Sequence, residues 1–371
     1  MLNEKYLILS INPGSTSTKV ALFKDEERIF IESIFHDSSI LSTFESINDQ
    51  LDYRNKVLFD FLSEKDIDMN TVDAIVGRGG PSYSVKSGIY EVDDLLIKDT
   101  REFKGGLYHS SCLGIQMAYA LHKRYPHTLC LMSNPTVTDE YDDIARVTGV
   151  KGVYRQCALH ALNMKEVARR YSLKVNKNYE DLTLITAHID GGISMAVHKN
   201  GRMIDGIDGG GGEGPFTPTR MGGMAISTFN NSLHDLSFQE VRQLLSVKGG
   251  FSNYFNTSNS DVIHKMVEDG DKEATLIYNA MIYQCCKTIG SLAPVADGKI
   301  DAILLTGGLC RFDDLVDKIK KSCSFIAPIK VYPGEYEHEA MTNAALEVLS
   351  GKTIPLKYTG KPVFEGFDFI K

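Results

Sequence analysis

No stretch of the chain approaches the ~18 consecutive apolar residues that a membrane-spanning helix needs, so no such span is expected. The opening residues Met1–Lys5 run into a strand-like segment without the apolar core of a signal peptide, and the expected location is the cytoplasm. Cysteine is scarce and unpatterned. The seven cysteines are odd in number and form no CxxC, which favours reduced thiols over a disulfide framework or a zinc site. Positive charge is in deficit. With 40 Lys and Arg against 48 Asp and Glu the net charge is -8, so no basic stripe exists to hold nucleic acid or an anionic membrane. A small anionic substrate is not excluded, because it responds to local arginines. Two common nucleotide signatures are also missing: there is no GxxxxGK[ST], and no strand–GxGxxG–helix unit marks a Rossmann site.

What is present is repetition. Leu7–Lys24 (LILSINPGSTSTKVALFK) and Leu184–Lys199 (LITAHIDGGISMAVHK) share one plan: a run of β-formers, a glycine-bearing turn, and a second strand. Third strand-like pieces follow at Arg28–Phe35 and Arg202–Asp208. Ala74–Gly80 (AIVGRGG) and Ala302–Gly308 (AILLTGG) form a second echo. At 371 residues the chain can hold two such halves, each with its own core. Apolar spacing predicts helices at Ser42–Glu64, Tyr108–Tyr125, Lys272–Ala293, Leu315–Lys321 and Glu339–Leu349. The chain is expected to divide into residues 1–155 with 338–371, and residues 156–337.

The two turns have the chemistry of phosphate cradles. Gly14 can take positive φ, so the N–H groups of the first turn can converge on an anion. Asn12, Ser15, Thr16, Ser17 and Lys19 surround it with donors and charge. The second turn offers His188, Asp190, Gly191 and Gly192. One such hairpin alone is ordinary; two in duplicated halves point to a polyphosphate. Gly206–Gly223 is the richest glycine segment, and it carries Glu213, Pro215, Phe216 and Arg220, which a plain linker does not need.

Duplicated phosphate hairpins resemble the superfamily of acetate kinases, sugar kinases, heat-shock ATPases and actin. GRGG, YHSSCLG, NPTVTDEYDDIARVTG, RQCALHALN, GEGPFTPTRMG, LTGGL and YPGEYEHEA, in this order from Leu7 to about Leu349, together resemble the butyrate kinase family. That resemblance implies a duplicated α/β fold of the actin-like ATPase (ribonuclease H-like) type, with two lobes around a nucleotide cleft. The first division is then the acyl-substrate lobe and the second the nucleotide lobe. It further implies ATP and Mg²⁺, a short-chain carboxylate or acyl phosphate as second substrate, and a homo-oligomer.

The same resemblance implies residue roles. Arg78 binds the carboxylate, Arg220 neutralises the phosphoryl group in flight, and His160 donates to an equatorial oxygen. Asp139 orients an arginine or a metal-bound water, and His109, at the start of a helix, supports substrate binding. Gly307 and Gly308 lie near the adenosine. Asn12 and Glu337, or one of the neighbouring Glu335 and Glu339, are linked to magnesium. The chemistry agrees. A carboxylic acid is already ionised at pH 7, so no general base is required, and the work is to hold two anions together. The resemblance departs at Asp190, where the family usually has glycine, and at the longer glycine run Gly209–Gly212.

Three other readings stay open on sequence: an acetate or propionate kinase, a hydrolase recruiting Asp139 or Glu213 as base, and a nucleotide sensor or filament protein. The last would not need Arg78 and Arg220.

Overall fold

The computed structural model describes residues 5–80, 82–106 and 109–370. It divides into two compact units: Met1–Asp139 with Tyr336–Phe367, and Glu140–Glu335 with Asp368–Lys371. The sequence reading put the changeovers at 155/156 and 337/338. The first falls earlier because Arg155 is bound into the second unit, pairing with Asp205 at 2.8 Å and Glu213 at 2.5 Å.

The first unit is built on a six-stranded mixed sheet of order β3-β2-β1-β4-β6-β5. Its strands are β1 (Leu7–Pro13), β2 (Ser17–Lys24), β3 (Glu27–Phe35), β4 (Ala74–Gly77), β5 (Ile89–Glu91) and β6 (Leu129–Ser133). The second unit holds a five-stranded sheet of β7 (Leu184–Ile189), β8 (Ile193–Lys199), β9 (Arg202–Ile207), β10 (Ala302–Gly307) and β11 (Ile329–Pro333), ordered β11-β10-β7-β8-β9. The two sheets repeat one topology. In each, three antiparallel strands are followed by two that add parallel to the first, and β5 is an addition. Even the irregularities correspond, since the pairing of second and third strands slips at Leu22/Phe23 and again at Val197/His198.

Alternation along the first strand of each sheet decides where the core and the polar side chains go. Leu9 and Ile11 face a core with Val20, Leu58, Ile75, Leu113 and Met117. Ile185, Ala187 and Ile189 face another with Phe251, Tyr278, Met281, Ile303 and Leu315. The alternate residues Ser10, Asn12, Thr186 and His188 are polar yet buried, because each sheet's opposite face is covered by a helix. Helix Glu337–Leu349 packs on β1, β4 and β6; helix Ala161–Val175 packs on β7 and β10. Each covering helix therefore joins the sheet that did not immediately precede it in the chain.

Several helix limits differ from expectation. Helix Leu51–Glu64 begins later than Ser42, because turns and a 3₁₀ turn at Asn48–Gln50 take up that segment. The next long helix is Cys112–Arg124; the expected start at Tyr108 lies outside the described residues. No helix among the described residues is long and apolar enough to cross a membrane.

Candidate active site

In the first unit the end of β1, the end of β4 and the start of helix Glu337–Leu349 bring three polar side chains together. The Arg78 Nη2 pairs with Glu337 Oε1 at 2.9 Å, its Nη1 donates to Asn12 Oδ1 at 3.2 Å, and Asn12 Nδ2 donates to Glu337 Oε2 at 2.5 Å. Asn12 and Glu337 are buried and Arg78 keeps a small exposed fraction. One turn of strand away, Ser10 Oγ meets His338 Nδ1 at 2.7 Å. The glycines beside Arg78 serve packing more than ligand approach. A Cβ on Gly77 would lie 2.4 Å from the Gly114 carbonyl oxygen of helix Cys112–Arg124, so strand and helix touch backbone to backbone here.

The first turn is held from beneath. Arg54, on helix Leu51–Glu64 and almost fully buried, donates from Nη1 to the Gly14 carbonyl at 3.0 Å and from Nη2 to the Ser15 carbonyl at 2.9 Å. Its Nη1 also reaches Ser17 O and Thr18 Oγ1, and its Nε donates to Gln50 Oε1. Burial lowers its pKa to about 10. Carbonyls drawn toward Arg54 leave the exposed Ser15 and Thr16 on the outer side of the turn. Gly14 does not use positive φ; its N–H instead closes the turn on Ser17 O at 2.7 Å. Sequence reasoning missed Arg54, and nothing in its surroundings (LDYRNK) marks it.

His109 does not begin a helix. It lies three residues before Cys112, and its Nδ1 accepts from the Ser111 N–H at 3.1 Å. Asp139 is the last residue of the first unit, buried, with its N–H bonded to Val85 O. The acidic residues after it open a helix of only four residues, Asp143–Arg146.

In the second unit the β7–β8 turn is the centre. Asp190 accepts from the Gly191 N–H at 2.8 Å and from the Gly308 N–H at 2.6 Å, so it ties this turn to the end of β10. Thr217 Oγ1 and Thr219 Oγ1 both donate to Gly191 O, at 2.6 and 2.9 Å. Thr217 Oγ1 in turn accepts from the Arg220 N–H. These bonds lay the guanidinium of Arg220 against the turn. A Cβ on Gly192 would fall 2.8 Å from Arg220 Nη1, so any larger residue here would push the guanidinium away from the turn.

Arg220 Nε is buried with no hydrogen-bond partner, and among the described residues the side chain makes no ion pair. Burial lowers its pKa, with the Asp208 carboxylate acting in the opposite sense. Asp208 is itself pushed up by burial, against the backbone N–H groups of Gly210 and Gly211. The glycine-rich segment is not a loose linker: Arg155 pairs with Glu213, Asp208 accepts from the Gly210 N–H, and Gly223 N–H bonds to Gly214 O. Engaged by Arg155, Glu213 is poorly placed to act as a hydrolytic base.

Two histidines complete this unit's site. His160 is the residue before helix Ala161–Val175 begins, not part of its body, and its ring stacks on His188 with centroids 3.9 Å apart and planes 11° from parallel. Ring atoms of His188 and carboxylate oxygens of Asp190 and Glu335 lie within 4.8 Å of one another, a grouping able to hold a cation.

Residues 138–324 match the acetokinase family model. The chain is 39% identical over 360 residues to butyrate kinase 2 of Clostridium acetobutylicum, spanning 95% of this chain and 99% of that protein. The chain belongs to the acetokinase family. A probable butyrate kinase of Clostridium botulinum strain Alaska E43 is also 39% identical, over 94% of this chain and 98% of its own length. Among solved structures, an acetate kinase from Porphyromonas gingivalis superposes with a TM-score of 0.74 at 18% identity, covering 92% of this chain and all of that one. A propionate kinase from Francisella tularensis gives 0.72 at 16%, covering 91% and 98%. The fold is therefore the two-domain, actin-like α/β fold of this family, as the duplicated hairpins implied.

Proposed function

We propose that the protein transfers the γ-phosphoryl group of ATP to the carboxylate of a short-chain fatty acid, butyrate or a branched relative, and catalyses the reverse reaction with ADP. The observation that carries this reading is Arg220: a half-buried cation whose buried Nε has no hydrogen-bond partner, laid along a glycine turn and forming no ion pair among the described residues, with the Asp208 carboxylate acting on it only from beyond ion-pair distance. A phosphoryl group in transfer is the anion it suits. The relatives named butyrate kinase supply the acceptor class.

The residues divide the work. Two of the N–H donors of Arg78 are held by Asn12 and Glu337, which fixes the guanidinium plane, and others remain for a carboxylate. Arg220, His160 and His188 serve the phosphoryl group, and the turns at Gly14–Lys19 and Asp190–Gly192 hold the remaining phosphates. Gly307 and Gly308 border the adenosine. Asp139 and His109 support these groups. The acceptor needs no deprotonation, so the rate gain comes from charge neutralisation and in-line alignment.

Magnesium fits the oxygen donors of both units. Mg²⁺ keeps much of its water shell, which suits approach to Asn12 and Glu337 despite their bonds to Arg78. The carboxylates of Asp190 and Glu335 form the second grouping. Bound Mg²⁺ would offset phosphate charge. None of the seven cysteines is in a disulfide, which accords with a reducing cytoplasm, and we expect a homo-oligomer.

Trapping of acyl hydroxamate with ATP, Mg²⁺ and acetate, propionate, butyrate, isobutyrate or isovalerate tests the reading. Hydroxamate should form, most from the four- and five-carbon acids. Phosphate release without hydroxamate from any acid would replace the kinase with a hydrolase.

A further inference from the structure

The chain of hydrogen bonds behind the stacked histidines has a direction. Gly334 O is a carbonyl and can only accept, so the hydroxyl hydrogen of Thr306 is committed to it at 3.0 Å. Thr306 Oγ1 must then accept from Asn163, and the amide nitrogen Nδ2 lies 3.1 Å away. The same Nδ2 lies 2.9 Å from His188 Nδ1 and has a second hydrogen to give. Asn163 and Thr306 are fully buried, and His188 is nearly so. Nδ1 of His188 is thus an acceptor, and its ring hydrogen belongs on Nε2. A parallel argument holds for His160. Its backbone N–H donates to Ser194 Oγ at 3.1 Å, so that hydroxyl gives its hydrogen either to His160 Nδ1 at 2.7 Å or to Met164 Sδ at 3.5 Å. Thioether sulfur is the weaker acceptor. His160 Nδ1 therefore accepts too.

We propose that Asn163, Thr306 and Ser194 are positioning residues that hold His160 and His188 as a stacked pair of neutral rings, each presenting Nε2–H as a fixed donor. The assignment of the rings to phosphoryl oxygens rests on the kinase reading above; the tautomers rest on the hydrogen bonds alone. A ring with its hydrogen on Nδ1 would turn a lone pair toward an anionic oxygen, converting an attraction into a repulsion. It also follows that His188 is a donor and not a metal ligand, leaving a cation near it to Asp190 and Glu335.

The test is a long-range ¹H–¹⁵N spectrum of the full chain labelled at histidine, with kinetics on the same samples. The wild type should show both rings in the neutral Nε2–H form. Asn163→Asp places an acceptor against His188 Nδ1; that ring should change to the Nδ1–H form, with kcat falling about a hundredfold or more and the KM for ATP changing far less. Should that variant fail to fold, Thr306→Ser keeps the hydroxyl and should preserve both spectrum and kcat, while Thr306→Val should alter both. A wild-type His188 carrying its hydrogen on Nδ1 would overturn the proposal, as would an unchanged spectrum in folded Asn163→Asp. A wild type that forms no acyl hydroxamate yet shows the Nε2–H pair would sink the kinase reading while upholding the ring assignment.

Discussion

Arg54 and Arg220 are both cations drawn into the protein without a carboxylate partner, yet they do opposite things. Arg54 spends its donors on the carbonyls of Gly14, Ser15 and Ser17 and so shapes a turn. Arg220 is positioned through its backbone and keeps its guanidinium unspent. Replacing Arg220 by Ala should cost on the order of 10³-fold in kcat while ATP binding by calorimetry changes little, and Lys should not restore it because the planar fork is lost. Full turnover in either variant would remove Arg220 from the reaction. Gly192→Ala is a subtler probe. Its methyl would occupy the space of Arg220 Nη1, the far end of a flexible side chain, so the protein should fold and melt nearly as before while kcat drops. An equal loss of melting temperature and activity would argue for a purely structural glycine. Arg220 stood out in the sequence as a residue that a plain glycine-rich linker does not need, and its role came only from the family resemblance. Arg54 did not stand out, because an arginine on a helix looks the same whether it points to solvent or into a turn.

At the level of elements, the strands anticipated in the sequence lie within a residue or two of those observed, since β-formers punctuated by turns leave little ambiguity, but the three-residue β5 was not anticipated. Helix starts were less so. A periodic apolar run at 42–64 conceals the break before Leu51, and the His109–Ser111 lead-in resembles a first turn. Less visible still was the meaning of Ser10, Asn12, Thr186 and His188: polar alternation reads as a solvated strand face until a covering helix is known. The same pattern buries two histidines that carry no proposed chemistry. Thr18 Oγ1 meets His36 Nε2 at 2.8 Å, and Thr186 Oγ1 meets His198 Nε2 at 2.7 Å. Burial, then the Arg54 charge, lowers the His36 pKa to about 4. Burial, then Lys165, lowers that of His198 to about 3. Both rings take up protons more readily in the unfolded chain, near pH 6.5. Their neutral-state stability is complete above that pH and is lost as pH falls toward the folded values, by up to about 1.4 kcal/mol per pH unit per ring. Urea unfolding at about pH 7.5 and about pH 5 should show this decline, and His198→Gln should flatten it. A pH-independent wild type would contradict the buried neutral assignment.

For the molecule as a whole, duplication was the clearest message of the sequence, and the matched sheet orders and matched slips at Leu22/Phe23 and Val197/His198 repeat it in three dimensions. The lobe limits were harder, because Arg155 belongs to the second unit through side-chain pairs that no composition shift announces. Each unit has its own core, so heating should give a calorimetric enthalpy larger than the van't Hoff value, with ATP raising the transition of the unit that binds it. A single two-state transition, shifted as one, would mean the two cores melt together.

The helix that covers β1 also supplies Glu337 and His338, and it lies beyond the whole of Glu140–Glu335. On the ribosome, then, the first sheet emerges long before its own lid. At ~5–20 residues per second the nascent sheet waits on the order of 10–40 s with one face uncovered. Ser10 and Asn12 on that face, polar where a hydrophobic strand would invite misassociation, make the wait tolerable, and truncation from the C-terminus should injure the earliest-made part of the protein most.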